Sequence, residues 1–296
     1  MIRKLIAGVF PAVTGTVAWT LFGLMASLIL GGTWSVWPYL TAGAWTEGRG
    51  TFPLSTLLVG TAARTFLMSL AMIPAGILTA VYLAEYAPQG AWMPRMLRRS
   101  IEVLAGVPSV LFGLFGLGFF VGVVGGGLDR WSGASMSPVW GRPALLWASW
   151  TLALMTLPVV VVAAEAALRS VPRELRLAAI ALGATRLQVI VRVLLPEAFP
   201  GMATGVILAI GRASGEVVPL LFTGAAVATQ GSLALNERFP DLAYQVFVWA
   251  TQSPDPEASR PRLLVGLWVL VFLSLMLNGA AAILRSRIGP RPADRL

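Results

Sequence analysis

Six stretches of this sequence contain no Asp, Glu, Lys or Arg: residues 5–46, 65–84, 103–128, 143–164, 217–236 and 263–284. Each can hold the ~20 apolar residues that cross a bilayer as an α-helix. Backbone polar groups have no water to bind in hydrocarbon, so such segments are helical unless they close into a barrel. A barrel would show alternating segments of roughly ten residues, and no such alternation is visible. Residues 198–215 are equally apolar apart from Arg212, which places a fifth span over about 200–224. The first stretch follows Arg3 and Lys4 and runs to about Leu30, too long for the core of a cleavable signal peptide. It is read as a retained helix. The expectation is an all-α integral membrane protein with six transmembrane helices. Residues 1–55 hold the first helix and an outer loop. Residues 56–285 form a permease-like domain with spans near 58–84, 101–124, 143–168, 200–224 and 263–284, and residues 286–296 are a tail.

Composition narrows the chemistry. With no cysteine and no histidine, disulfides, thiol nucleophiles, haem attachment and nearly all zinc chemistry are excluded. No metal site and no catalytic residue is expected. Lys4 is the one lysine, so no P-loop exists in this chain, and any ATP hydrolysis belongs to another subunit. The formal charge of +9 would suggest nucleic acid in a soluble protein. Here its distribution matters more. Fourteen basic residues fall on one side of a six-span arrangement and six on the other, which puts both termini in the cytoplasm and argues against a nucleic-acid partner. Trp34, Trp37, Trp45, Trp131, Trp140 and Trp249 fall near the outer ends of spans, as an interfacial belt would.

Segments 32–55, 125–142 and 226–261 become outer loops, with irregular chain over 253–261; they read either as connectors or as docking surfaces for an external partner. The cytoplasmic segment 172–196 is different. Pro172 suits a first helical turn, and Leu175, Ala178, Ala179 and Leu182 form one apolar face. Gly183 fits the position past the helix end, and Thr185 with Gln188 has the spacing of a capping box opening a second helix that Pro196 would stop. This is either a folded cytoplasmic knob or a helix lying in the membrane interface.

The sequence Ala178-Ala179, then Gly183, then Leu195-Pro196 resembles the cytoplasmic coupling loop of ABC importer permeases. Gly211-Arg212-Ala213-Ser214-Gly215-Glu216 followed by Pro219-Leu220-Leu221-Phe222-Thr223-Gly224 is similar to signatures of the phosphate permeases of the PstA type. Tyr82 to Pro88, Gly106-Val107-Pro108-Ser109 and Gly113-Leu114-Phe115-Gly116 resemble their second and third spans, so the likeness extends over residues 56–225. Two departures stand out: Leu177 replaces a usual Glu of the coupling motif, and Val162 stands where an Arg is common. The resemblance implies the type I ABC importer permease fold and an inner-membrane location. It also implies a PstC-like sister permease, a PstB-like ATPase dimer that carries ATP and Mg, and a PstS-like phosphate-binding protein outside. Ala178, Ala179, Gly183, Leu195 and Pro196 are then the ATPase-coupling residues, and this chain carries no cofactor of its own.

Arg212, near the middle of the expected fifth span, is costly in hydrocarbon and should face protein or water. Glu216 is one turn on. The pair is either a forked oxyanion ligand with its counter-charge in a substrate pathway, or a structural ion pair locking helices. Arg64, at the outer start of the second span, either draws anions inward or extends to lipid headgroups. Glu85, Glu102 and Glu165, near inner ends of spans, are explained by solvation or by pairing with Arg95, Arg98 or Arg169. Gly118, Gly122 and Gly126 form a small-residue stripe suited to close packing, within the subunit or against a sister. Three function classes follow. An ATP-driven importer subunit explains the lone lysine and the knob. A secondary transporter would show broken helices in repeated halves, and a membrane enzyme would cluster its acids and bases.

Overall fold

A helix satisfies its own backbone hydrogen bonds, and the computed structural model is helical wherever the sequence is apolar. It describes residues 27, 31–32, 34, 36–38, 53–88, 90–134, 137–226 and 233–288, the side chains of 285–288 excepted. Among the described residues five helices are long and apolar enough to cross a membrane. They are α1 (Leu54–Tyr86), α3 (Ser109–Trp131), α4 (Leu145–Ser170), α6 (Arg186–Ser214) and α9 (Pro256–Ile288, apolar as far as Leu284). Between them lie α2 (Trp92–Ala105), α5 (Arg173–Ala181), α7 (Val218–Thr223) and α8 (Leu242–Thr251). The span expected within residues 5–30 lies almost wholly outside the described residues.

Helix α4 is the centre of the bundle, flanked by α1 on one side and α6 on the other, with α9 outside α6. It is the most buried of the spans. Its polar side chains bury at no cost to hydrogen bonding, because Ser149, Thr151 and Thr156 donate to the carbonyls of Leu145, Trp147 and Leu152, all at 2.7–2.8 Å. Between helices in lipid, contact distance replaces the hydrophobic effect as the source of stability. The α4–α6 seam is built for contact: a Cβ on Gly201 would meet the Cβ of Ala167 at 2.7 Å, and one on Gly205 would collide with Ala163.

Two spans and one outer segment differ from the sequence expectation. The third is a two-part path rather than a helix over 101–124: α2 ends at Ala105, residues 106–108 turn, and α3 starts at Ser109. Pro108 has no N–H to continue α2 and disfavours helical geometry at Val107. The fifth is α6 followed by α7, not one helix over 200–224. It begins at Arg186 because Pro196 does not stop it; a π-helical turn at Ile190–Leu194 lets the chain pass the proline. Finally, the segment 226–261 is not all loop. It contains α8, largely buried against α1 and α9, and α9 starts at Pro256 within the stretch expected to be irregular. The glycine stripe is unpacked: a Cβ at Gly118 or Gly126 would meet nothing within 4 Å, and one at Gly122 only a carbonyl of its own helix.

Gly205→Ile should force α4 and α6 apart, costing about 1–3 kcal/mol as overpacking does. The expected result is a clear fall in melting temperature of the detergent-purified protein, while the same change at Gly118 leaves the melting temperature of this chain unaltered.

Candidate functional site

Gly215 closes α6 and Val218-Pro219 opens α7, so residues 215–217 belong to neither helix, and the conspicuous charges flank and occupy this break. The last turn is closed by Gly215 N–H to Arg212 O at 3.4 Å and Glu216 N–H to Ala213 O at 3.2 Å. Arg212 therefore sits in the final turn of α6 rather than mid-span. Its side chain is 54% exposed, and its Nε lies 3.8 Å from Glu216 Oε1, too far for a hydrogen bond. Both partners belong to one segment, so the pair locks no two helices together. The guanidinium fork is left open.

A second discontinuity lies beside the first. Gly113, one turn into α3, packs on the backbone of Val218 and Pro219, and Gly116 packs on Thr223. Helices α3 and α7 thus run side by side in the same direction, and the breaks at 106–108 and 215–217 lie at similar depth. Broken helices were expected of a secondary transporter, and two such breaks lie side by side here.

Arg64 is not at the lipid surface. It is 1% exposed, with Nε 3.1 Å from Oδ2 of Asp241, itself fully buried. Its Nη1 donates to Ala213 O at 3.3 Å, in the turn that carries Arg212. Asp241 caps α8 through Oδ1, which accepts from Tyr244 N–H at 3.1 Å, and its Oδ2 is 3.2 Å from Thr61 Oγ1. The extension to headgroups fails because the outer chain at Phe239–Asp241 folds back over α1, so closely that a Cβ at Gly60 would collide with the carbonyl of Pro240. Sequence reading missed Asp241. The signal was an acidic N-cap directly before the apolar run 242–250.

At the inner end the carboxylates are paired. Glu165 Oε1 forms ion pairs with Arg98 and Arg169, each at 2.9 Å, and both arginines also donate to Leu83 O. Glu85 pairs with Arg176 at 2.9 Å, tying α5 to the end of α1, and Arg176 also donates to Leu168 O. Helix α5 has no buried residue. Ala179 packs partly inward, but Leu175, Leu177, Ile180 and Leu182 are exposed, Leu182 by 89%. The inward face is thus Arg176 and Ala179 rather than the four-residue apolar face expected. Ala178 and Pro196 are exposed, and Leu195 is half-buried. Gly183 adopts φ 83°, the left-handed geometry that reverses the chain. The capping box forms as its spacing implied: Thr185 N–H donates to Gln188 Oε1 at 2.8 Å and Gln188 N–H to Thr185 Oγ1 at 3.4 Å.

Residues 72–292 match the profile of a family described as binding-protein-dependent transport system inner membrane component. The chain is 32% identical to a probable ABC transporter permease protein, YqgI, of Bacillus subtilis (strain 168), covering 94% of this chain and 93% of that protein. It is also 32% identical to the phosphate transport system permease protein PstA 1 of Mycobacterium tuberculosis, over 82% of this chain and 76% of that one. Among solved structures, a bacterial alginate ABC transporter chain superposes with TM-score 0.61 at 17% identity, over 96% of both chains. A chain of the inward-facing MetNI methionine ABC transporter superposes with TM-score 0.58 at 18% identity, over 80% of this chain and 96% of that one. At such identities the structures attest the fold alone, that of type I ABC importer permeases.

Thr185→Ala removes one half of the capping box, a loss of about 1 kcal/mol. Hydrogen exchange should quicken at residues 185–189 by roughly fivefold, the rate equivalent of that energy, with protection of α4 unchanged.

Proposed function

Because the chain belongs to the binding-protein-dependent transport system inner membrane component family, we propose that it is the permease subunit through which an ATP-driven importer of the Pst type passes inorganic phosphate into the cytoplasm. The observation that carries this reading is the continuity of α6. Its 29 residues, about 43 Å at the helical rise, run from the turn beside the exposed knob to the turn that holds Arg212. One continuous helical element joins a docking surface to an open oxyanion fork.

In this reading the exposed leucines of α5 seat in a PstB-like ATPase, which holds the ATP and Mg. Arg176, held by Glu85, and the Gly183 reversal fix the knob to α1 and α6, so displacement of the knob displaces α6 and the turn at 212–216. Arg212 offers two parallel N–H donors to a phosphate oxygen pair, a geometry matched by guanidinium rather than ammonium. Glu216, 3.8 Å away, competes for the same donors and so limits how tightly the anion is held, as passage requires. The unpacked face of α3 at Gly118, Gly122 and Gly126 is the seam for a PstC-like sister, and the outer chain at 233–241 is where a PstS-like binding protein would act. Both termini lie in the cytoplasm on the distribution of arginines.

The test is ATP-dependent uptake of radiolabelled phosphate into vesicles carrying this chain with its partner subunits. Uptake should need ATP, fall at least about a hundredfold in Arg212→Ala, the scale of losing a doubly hydrogen-bonded charged contact, and be unaffected by excess sulfate. Accumulation driven by an ion gradient without ATP would overturn the importer reading, and accumulation of sulfate instead would overturn the substrate. Gly183→Pro, impossible at φ 83°, should abolish substrate-stimulated ATP hydrolysis while the chain still inserts. Unchanged hydrolysis together with unchanged co-purification of the ATPase would remove the knob from coupling.

A further inference from the structure

Arg64 is a guanidinium buried in a membrane-spanning helix and only partly satisfied. Nη1 reaches Ala213 O, but Nη2 has no hydrogen-bond partner, and Nε faces Asp241 at 3.1 Å without the alignment of a hydrogen bond. A buried charge with spare donors is costly, and in membranes such groups mark ion and substrate paths. Its position points to which path. Ala213 O, which it binds, also accepts from Glu216 N–H and belongs to the residue after Arg212.

Charge balance carries the argument further. Arg212 and Glu216 cancel, so that pair alone gives a doubly charged oxyanion no net attraction. A second cation on the same turn would supply it, and Arg64 is there, neutralised by Asp241. That neutralisation is detachable. Asp241 keeps Tyr244 N–H of its own helix on Oδ1, so its carboxylate stays capped on α8 when it parts from Arg64 and from Thr61, which lies beside Oδ2. Thr61 is itself held, accepting from Leu242 N–H at 3.0 Å.

We propose that Arg64 is a second oxyanion ligand of the translocation site, and that Asp241 is a built-in place-holder for the anion. The proposal rests on the oxyanion reading of Arg212 above. With the outer chain folded over α1, Asp241 occupies Arg64. When that chain lifts, the carboxylate withdraws and the anion takes its place between the two arginines. Phe239 couples the events, because its backbone is bonded to Gly224 and Ala226 at the end of α7, so the cover and the broken span move as a unit.

The sign of one mutation separates this from a purely structural pair. Equilibrium binding of radiolabelled inorganic phosphate is measured on the whole transporter, sister permease and ATPase included, in lipid nanodiscs. Removing the competitor with Asp241→Asn should tighten binding about threefold or more, while Arg64→Gln weakens it about tenfold or more, the scale of one charge-assisted contact. Arg64→Lys should fall between, and the double variant should bind like Arg64→Gln. Asp241→Asn that melts like the wild type and binds phosphate no tighter overturns the proposal, as does Arg64→Gln binding at wild-type strength. If Asp241→Asn does not fold, Thr61→Val replaces it: loosening Asp241 without removing its charge should still tighten binding, and no gain overturns the proposal. A wild-type complex that binds sulfate but not phosphate would defeat the substrate reading instead, and the same variants read with sulfate would still decide the role of Arg64.

Discussion

A backbone N–H or C=O left unpaired in hydrocarbon costs several kcal/mol, and the architecture follows from that cost. The spans are helices because nothing else satisfies the backbone without water. The same constraint says where a helix is permitted to stop. At the breaks, 106–108 and 215–217, Val107 and Val217 pack into the main core with Met68, Met72, Phe112 and Leu220, while Gly106, Pro108 and Gly215 are exposed. Broken backbone at depth is tolerated only where it is buried or lines a cavity. That is why the two breaks sit together beside α4 rather than apart on the lipid face.

Charge obeys the same logic with larger penalties. Where charge is fully buried it is neutralised by a partner from a distant part of the chain, as Arg64 is by Asp241. Toward the inner surface one carboxylate, Glu165, serves two arginines, and those pairs are half-exposed and individually weak. Their value is geometric, since Arg98 and Arg169 both also hold Leu83 O and so gather α2, α4 and the end of α1 at one point. Arg212 is the contrast. It is exposed, it faces its carboxylate across a gap longer than a hydrogen bond, and it ends a helix whose other end is the knob.

The spans were legible in the sequence because a run of twenty uncharged residues admits few structures, and the knob was legible because Gly183, Thr185 and Gln188 are local signals with local causes. What escaped reading was long-range or depended on membrane depth. Pro196 reads as a terminator in a soluble helix, but a span can widen into a π-turn and continue. Arg212 was placed mid-span by counting apolar residues, and counting cannot see that Gly215 and Pro219 divide the segment. Arg64 looked like a headgroup anchor because its partner lies 177 positions away, on a segment read as loop. The cap before the run 242–250 was a readable sign of that error, outweighed by the polar residues around it.

The consequence for mechanism lies in how stiffness is distributed. Helix α6 runs from its capping box to Ser214 through the π-turn at Ile190–Leu194, and beyond that turn Gly201 and Gly205 hold it against α4 at contacts too close to slide freely. In the proposed importer a displacement at the knob passes the π-turn, where α6 can bend, and is carried along the stretch held by those glycines as tilt or translation. At its outer end α6 gives way to the non-helical residues 215–217 and, beyond α7, to the outer chain bonded to Gly224 and Ala226. Cores packed to this density switch between discrete arrangements rather than deforming continuously. The helix end and turn that carry Arg212 and Glu216, between a long helix and a covered outer loop, are where such a switch would expose a charged group to one side of the membrane and then to the other.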